Sequence, residues 1–120
     1  VIVFTGDTGP SEAVTELARN ADILVSEVGS SEDVKQVFIK NGTWQGMTPE
    51  QQAALMRHEV EEHLTPDAVG KMAARAHVKA VVLTHLLPTV NERDDYQRYV
   101  PEVQKFFSGQ VVVAKDLMEF

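Results

Sequence analysis

The sequence predicts an α/β domain in which apolar strands alternate with amphipathic helices. Short and almost wholly apolar segments, typical of strands buried on both faces, occur at residues 1–5, 22–26, 78–84 and 110–114. Segments with helical spacing of apolar residues and clear capping signals separate most of these strands. Strands and helices that alternate in this way indicate a sheet protein of the α/β class.

The first strand is followed by a predicted loop, helix and second strand. The loop runs from Gly6 to Pro10 and is rich in turn-forming residues. Ser11 is expected to cap a helix over residues 11–19, because its hydroxyl can accept a hydrogen bond from a first-turn N–H group. The second strand, 22–26, then ends at Glu27.

The middle of the chain is predicted to be mainly helical. Residues 32–39 have inward-facing apolar positions, and residues 41–46, with two glycines and one tryptophan, have the composition of a loop or lid. Thr48 opens a helix expected to run to about Glu61, with proline at the first helical position and Gln51 completing a capping box.

The last part of the chain repeats the pattern of a capped helix followed by a strand. Thr65 is expected to cap a helix over residues 66–76, which carries an apolar stripe and leads into the strand at 78–84. A helix over 92–107, interrupted near Pro101, precedes the last strand. The absence of repeats and linkers in the sequence indicates one domain or part of one.

Composition excludes several classes of protein. The chain has 120 residues, about one ordinary domain, and no apolar run near the roughly 18 residues of a membrane helix. The absence of cysteine excludes disulfides and thiolate metal sites but leaves the compartment open. With 18 acidic and 11 basic residues the net charge is −7, which argues against non-specific nucleic-acid binding.

Candidate functional residues stand at the predicted strand ends. Asp7, Glu27 and His85 each follow a strand, and His63 precedes a helix. In α/β proteins the carboxyl ends of strands gather ligand-binding and catalytic groups. Carboxylates and imidazoles at one edge suit a metal site with an acid–base group.

Each of these residues also has a simpler interpretation. Asp7 could be a turn residue bonded to its own backbone, and Glu27 an exposed strand end. His63 could be a mere neighbour of a helix start, and His85, after an apolar strand, is expected to be buried and could be a satisfied core histidine. The two remaining histidines are expected to be surface or packing residues on helices: His58 and His77.

Four short motifs follow one another along residues 2–88. They are Gly6-Asp7-Thr8, the segment Ala-Asp-Ile-Leu-Val-Ser-Glu at 21–27, His63-Leu64-Thr65, and Val82-Leu83-Thr84-His85. This ordered set resembles the metallo-β-lactamase superfamily, and looks most like its ribonuclease Z and arylsulfatase-like branch. The order of the motifs makes the resemblance fairly specific, whereas any single motif is not.

The resemblance implies a metal-dependent hydrolase with two divalent metal ions, most readily zinc. Asp7 would bridge the metals and His85 would be a terminal ligand of one of them. His63 would donate a proton to the leaving group and would be held by Glu27. The metals would activate a hydroxide that attacks a phosphodiester, a sulfate ester or another ester.

The sequence differs from the family pattern in two places. The His-x-His-x-Asp-His metal motif is absent, so the resemblance implies that residues 1–120 are the C-terminal half of the domain, with the N-terminal half absent from the sequence. The apolar residues 1–5, with which the sequence begins, likewise indicate a fragment or a processed chain. With two ligands rather than the usual three, the chain alone is expected to be catalytically incomplete.

The second departure follows His85. Ribonuclease Z proteins continue with a Ser-x-Arg-Tyr type segment that handles phosphate, whereas here Leu-Leu-Pro-Thr follows, with Arg93 and Tyr96 further on. Together with the negative charge, this favours a small ester-type substrate and makes a nucleic acid an unlikely one.

The fold implied by the resemblance is one half of a four-layer αββα sandwich, a mixed sheet with helices on its outer face. Helices 11–19 and 66–76 can cover only one face of the sheet. The other is expected to pack on the missing half or on a second copy, giving a homo-oligomer such as a dimer. The alternative is a non-catalytic isolated α/β domain that associates through this face.

Overall fold

The computed structural model describes residues 1–88 and 96–119. Its strands form one sheet in chain order: β1 (Ile2–Phe4), β2 (Ile23–Gly29), β3 (Ala80–Leu87) and β4 (Gln110–Val113). The three strand pairs are all parallel. The described sheet is therefore parallel, and the expectation of a mixed sheet is wrong for this part of the chain. Parallel neighbours require crossover connections, and helices supply them here, which confirms the α/β class.

Local capping signals place the helices close to their predicted positions. Ser11, Thr48 and Thr65 each accept a hydrogen bond from a first-turn backbone N–H group, and Thr48 forms the predicted capping box. The helices are α1 (Glu12–Leu17), α2 (Ser31–Lys40), α3 (Thr43–Gly46), α4 (Pro49–Glu62), α5 (Pro66–Ala76) and α6 (Tyr99–Gln104).

Several elements differ from the prediction. The expected loop or lid at 41–46 contains the short helix α3. The predicted interruption near Pro101 is wrong, because Pro101 lies in the first turn of α6, where its missing N–H group is not needed. The start of the predicted 92–107 helix, including Arg93, lies outside the described residues. Strand β3 runs to Leu87, beyond its predicted end.

Helices α1, α5 and α6 cover one face of the sheet and form the core with it. The largest fully buried apolar side chains of this core are Leu24, Leu64, Leu83, Val28, Val69, Val81 and Val103. Gly70 lets α5 approach α6 closely, since a Cβ atom there would lie 2.4 Å from the carbonyl oxygen of Val103. This packing holds the strand ends in a fixed arrangement.

The opposite face of the sheet is open along β1 in the described chain. Ile2 is 55% exposed and Phe4 is 69% exposed, and Val25, on the same face, is only partly buried. The exposure of β1 agrees with the expectation that helices leave this face uncovered, whereas Val82, which pairs with Val25, is only 6% exposed. Among residues 1–88 and 96–119, no helix combines the length and apolar character needed to cross a bilayer.

Candidate metal and acid–base site

The turn after β1 directs Asp7 to the carboxyl edge of the sheet. Gly6 has φ +62, a left-handed conformation that glycine adopts readily because it has no Cβ. The Asp7 side chain is 61% exposed, and its Oδ1 lies 2.6 Å from Nδ1 of His85. Asp7 therefore does more than stabilise its own turn.

His85 lies in a bulge of β3. Glu27 is paired with Thr84 and Val28 with Leu86, so His85 is the extra residue between these pairs. Its φ of +44 is unusual for a residue with a side chain, and bulges commonly redirect side chains beside active sites. The His85 side chain is 51% exposed, so the expectation of burial and the core-histidine interpretation are wrong.

Glu27 is a buried carboxylate that connects three segments of the chain. It lies within β2 and is 2% exposed, so the exposed strand-end interpretation is wrong. Its Oε1 accepts hydrogen bonds from the backbone N–H groups of Thr8 at 2.9 Å and Leu64 at 3.3 Å. Its Oε2 lies 2.9 Å from Nδ1 of His63. These partners compensate for the loss of water around the carboxylate.

His63 ends α4 and is positioned by this carboxylate. Its side chain is 19% exposed, and the hydrogen bond to Glu27 raises the pKa of the imidazole because it favours the protonated form, while burial acts in the opposite direction. Because Nδ1 of His63 contacts the Glu27 carboxylate, Nε2 is the ring nitrogen that is available to other partners. An imidazole held in this way can serve as a proton donor.

The donor atoms at this edge fit a divalent metal. Asp7, Glu27 and His85 each offer one ligand atom, and these atoms all lie within 4.8 Å of one another. Carboxylate oxygens and imidazole nitrogens are common zinc ligands. Glu27 already has partners on both of its oxygens, which leaves Asp7 and His85 with the more available ligand atoms.

The fold brings all four predicted site residues to one edge, and it adds a histidine that sequence reasoning set aside. The ring centroid of His58 lies 5.8 Å from that of His63 in an edge-on contact, and Nδ1 of His58 lies 3.2 Å from Glu62. The sequence spacing of His58 and His63 did not indicate this contact. The contact depends on the extended backbone of His63, the residue at which α4 ends. His77 instead occupies the left-handed C-cap of α5.

Comparison with known proteins identifies relatives along nearly the whole chain. No family model matches it. It is 28% identical to ribonuclease Z from Archaeoglobus fulgidus over 117 residues, which cover 98% of this chain and 31% of that protein. It is 32% identical to ribonuclease Z from Thermobifida fusca over 123 residues, covering 98% and 30%, respectively. The ribonuclease Z of Nocardia farcinica is 34% identical, with 95% and 30% covered.

The fold has a counterpart among solved structures. The metallo-β-lactamase fold protein YhfI from Bacillus subtilis superposes with a TM-score of 0.63 at 23% identity, covering 95% of this chain and 36% of that one. The chain thus spans about a third of the length of the relatives it matches. The chain thus has the fold of a metallo-β-lactamase fold protein and is similar along nearly its whole length to one part of several ribonuclease Z proteins, which supports the resemblance to the metallo-β-lactamase superfamily seen in the sequence.

Proposed function

We propose that the protein containing this chain hydrolyses a phosphodiester or a related ester with the help of bound metal. Asp7 and His85 would hold the metal, and His63, held by Glu27, would donate a proton to the leaving group. The observation that carries this proposal is the proximity of the two pairs. Nδ1 of His85 lies 3.9 Å from the same Glu27 oxygen that contacts His63.

The metal would supply Lewis-acid chemistry, lowering the pKa of a bound water and stabilising negative charge on the substrate. We propose two zinc ions, for which the Asp7 carboxylate and the His85 imidazole would serve as ligands. Because these are only two ligands, we propose that the others come from an N-terminal half-domain outside residues 1–120. Its sheet would cover the open face around Ile2 and Phe4.

His63 would act when the bond to the leaving oxygen breaks. Water supplies the oxygen that forms the new bond to the phosphorus, sulfur or carbon centre and releases one proton to the solvent. As the bond from that centre to the departing oxygen breaks, the Nε2 proton of His63 passes to this oxygen, and the neutral imidazole is later reprotonated from the solvent. Glu27 fixes the tautomer by accepting from Nδ1 and stabilises the imidazolium before transfer. The leaving group then departs as a neutral alcohol or phenol.

We further propose a small ester as the substrate. The last turn of α4, next to His63, carries Glu59, Glu61 and Glu62, and Glu59 contributes to the raised pKa of His63. Negative charge at this position opposes a long polyanion, whose binding requires clustered lysine and arginine. A small ester with one charged group meets less of this repulsion.

The alternative function is that of a non-catalytic domain that associates through its sheet. The observation that favours it is the apolar open face, with Phe4 69% exposed. In that case Asp7 and His85 would pair with each other without metal, and two copies would bury this face. Sedimentation combined with metal analysis distinguishes this function from the hydrolase.

The hydrolase is tested on the complete protein after metal removal and reloading with zinc. Its activity is measured on bis(para-nitrophenyl) phosphate, para-nitrophenyl sulfate and para-nitrophenyl butyrate. We expect turnover of at least one substrate that depends on zinc and disappears in Asp7→Ala but not in the control Glu50→Ala, an exposed acidic residue in the first turn of α4. Zinc-loaded protein that hydrolyses none of the three would contradict the proposal.

A further inference from the structure

Gly9 packs against the backbone of the last turn of α4. A Cβ atom built on Gly9 would lie 1.7 Å from the carbonyl oxygen of Glu61 and 2.7 Å from its carbonyl carbon. Backbone atoms do not approach a Cβ this closely, and a backbone carbonyl cannot rotate away as the end of a flexible side chain can. The contact therefore requires the absence of a side chain at position 9.

This contact joins the two halves of the candidate site. Gly9 follows Asp7 by two residues, and Glu61 precedes His63 by two residues. The same two segments also meet at Glu27, whose Oε1 accepts hydrogen bonds from the backbone of both. The segment with the proposed metal ligand and the segment with the proposed proton donor are thus held together at two points.

The rest of α4 contributes little to its own placement. All of its residues are at least partly exposed, so no buried side chain fixes the helix against the core. Its C-terminal end is located instead by the Gly9 contact and by the hydrogen bonds of the His63-Leu64 segment to Glu27. A change at Gly9 should therefore move the end of α4 and His63 with it.

We propose that Gly9 is a positioning residue that sets the separation between the Asp7 turn and His63. This inference rests on the proposed function, since it concerns the geometry of proton donation. A side chain at position 9 would push the Glu61 carbonyl away by about 1 Å, and a displacement of this size can cost about 10²-fold in rate. The proton donor would be misplaced while the metal ligands stayed in position.

Gly9→Ala tests the inference, with Gly46→Ala as the matched control, because a Cβ atom on Gly46 has no atom within 4 Å. The complete zinc-loaded protein is assayed on aryl methyl phosphodiesters whose leaving phenols range from strongly to weakly acidic. We expect Gly9→Ala to lower kcat by about 10²-fold for the weakly acidic phenols, which need a proton. We expect little loss for the strongly acidic phenols, unchanged KM and metal content, and wild-type behaviour of Gly46→Ala.

His63→Ala on the same substrates separates this inference from the proposed function. If His63→Ala lowers kcat by the same factor for every leaving phenol, His63 is not the proton donor and the proposed function is wrong. If His63→Ala shows the leaving-group dependence but Gly9→Ala slows all substrates equally, or none, the inference about Gly9 is wrong.

A second variant keeps the test decisive should Gly9→Ala fail to fold. This variant combines Gly9→Ala with Glu61→Gly. A glycine at position 61 makes the backbone around the obstructing carbonyl more flexible, so the double variant should fold although His63 remains displaced. The double variant is expected to retain the leaving-group dependence. A double variant with wild-type rates on weakly acidic phenols would overturn the inference.

Discussion

The two ion pairs at the carboxyl edge of the sheet differ in how they are held. In the pair of Glu27 and His63, the carboxylate is 2% exposed and the imidazole 19% exposed. In the pair of Asp7 and His85, both side chains are more than half exposed, at 61% and 51%. The first pair is organised by backbone hydrogen bonds to Glu27 from Thr8 and from Leu64, the residue after His63. The second pair has a single close contact in the described chain.

This difference separates a preorganised, buried pair from an exposed one. Exposed ion pairs contribute about 0–1 kcal/mol, so a 2.6 Å contact alone does little to hold Asp7 and His85 together. Leaving a buried carboxylate without its partners costs about 1–3 kcal/mol or more, so Glu27 fixes His63 firmly. We therefore infer that proton donation is prepared by the fold and that the exposed pair is completed by metal.

The largest expected effect comes from removing the proposed metal ligand Asp7. Asp7→Ala should reduce kcat/KM to the level of the metal-free protein, because an exposed imidazole alone cannot retain the cation. Kinetics of the variant with and without added zinc measure this effect. Activity restored fully by moderate zinc would mean that Asp7 contributes to metal affinity alone.

The next largest effect is expected for the buried pair. His63→Ala should lower kcat by about 10²–10⁴-fold, the range for loss of a general acid. KM should change little, since the ring acts mainly when the leaving bond breaks. Steady-state kinetics check this prediction, with His77→Ala as control, because His77 caps α5 just before the amino end of β3, at the opposite edge of the sheet from the site. Equal losses in the two variants would remove His63 from the mechanism.

A smaller loss, about 10–100-fold, is expected for Glu27→Gln, which keeps the shape but removes the charge behind His63. The pH profile sharpens this test. Because the hydrogen bond to Glu27 raises the pKa of His63, kcat should be highest where the imidazole is protonated and should fall as pH rises through the raised pKa. In Glu27→Gln this fall should begin at lower pH. An unshifted profile would show that another group donates the proton.

The same linkage predicts a dependence of stability on pH. The stabilisation from protonated His63 paired with Glu27 is fully present below the ordinary pKa of histidine and is lost as pH rises through the raised folded value. Urea midpoints measured across this range should fall with pH in the wild type and less so in Glu27→Gln. The slopes would be identical if the pair did not couple protonation to folding.

The open sheet face gives the smallest expected effect on catalysis but a clear one on association. The isolated 120-residue chain should self-associate at micromolar concentration, because Ile2 and Phe4 expose apolar surface on one face. Phe4→Asp should shift sedimentation towards monomer. The control Leu17→Asp, on a helix residue that is 68% exposed, should not. A wild-type chain that sediments as a stable monomer would contradict the role assigned to this face.

Local signals in the sequence predicted more of this fold than non-local ones did. Helix α5 matches its predicted span of 66–76, because a threonine cap, a proline and an apolar stripe are all contained within it. The bulge at His85 could not be predicted, since it arises from pairing with β2 and no residue of β3 marks it. The exposure of His85 was predicted wrongly for the same reason.

The candidate site shows the same limit. Its four residues were predicted by their places at strand and helix ends, and the resemblance supplied their proposed roles. The burial of Glu27 was missed because β2 continues to Gly29 instead of ending at Ser26. Gly9 resembles any turn glycine in the sequence, and its close contact with Glu61 depends on a helix some fifty residues later in the chain.

Metal content measured side by side in Asp7→Ala and His63→Ala tests the division between the two pairs most directly. Both variants of the complete protein are loaded with zinc, dialysed together and analysed for metal per chain. The wild type and His63→Ala should retain close to two zinc ions per chain, while Asp7→Ala should lose most of its metal. If His63→Ala emptied the site, or Asp7→Ala kept its full metal content, the separation of metal binding from proton donation would be wrong.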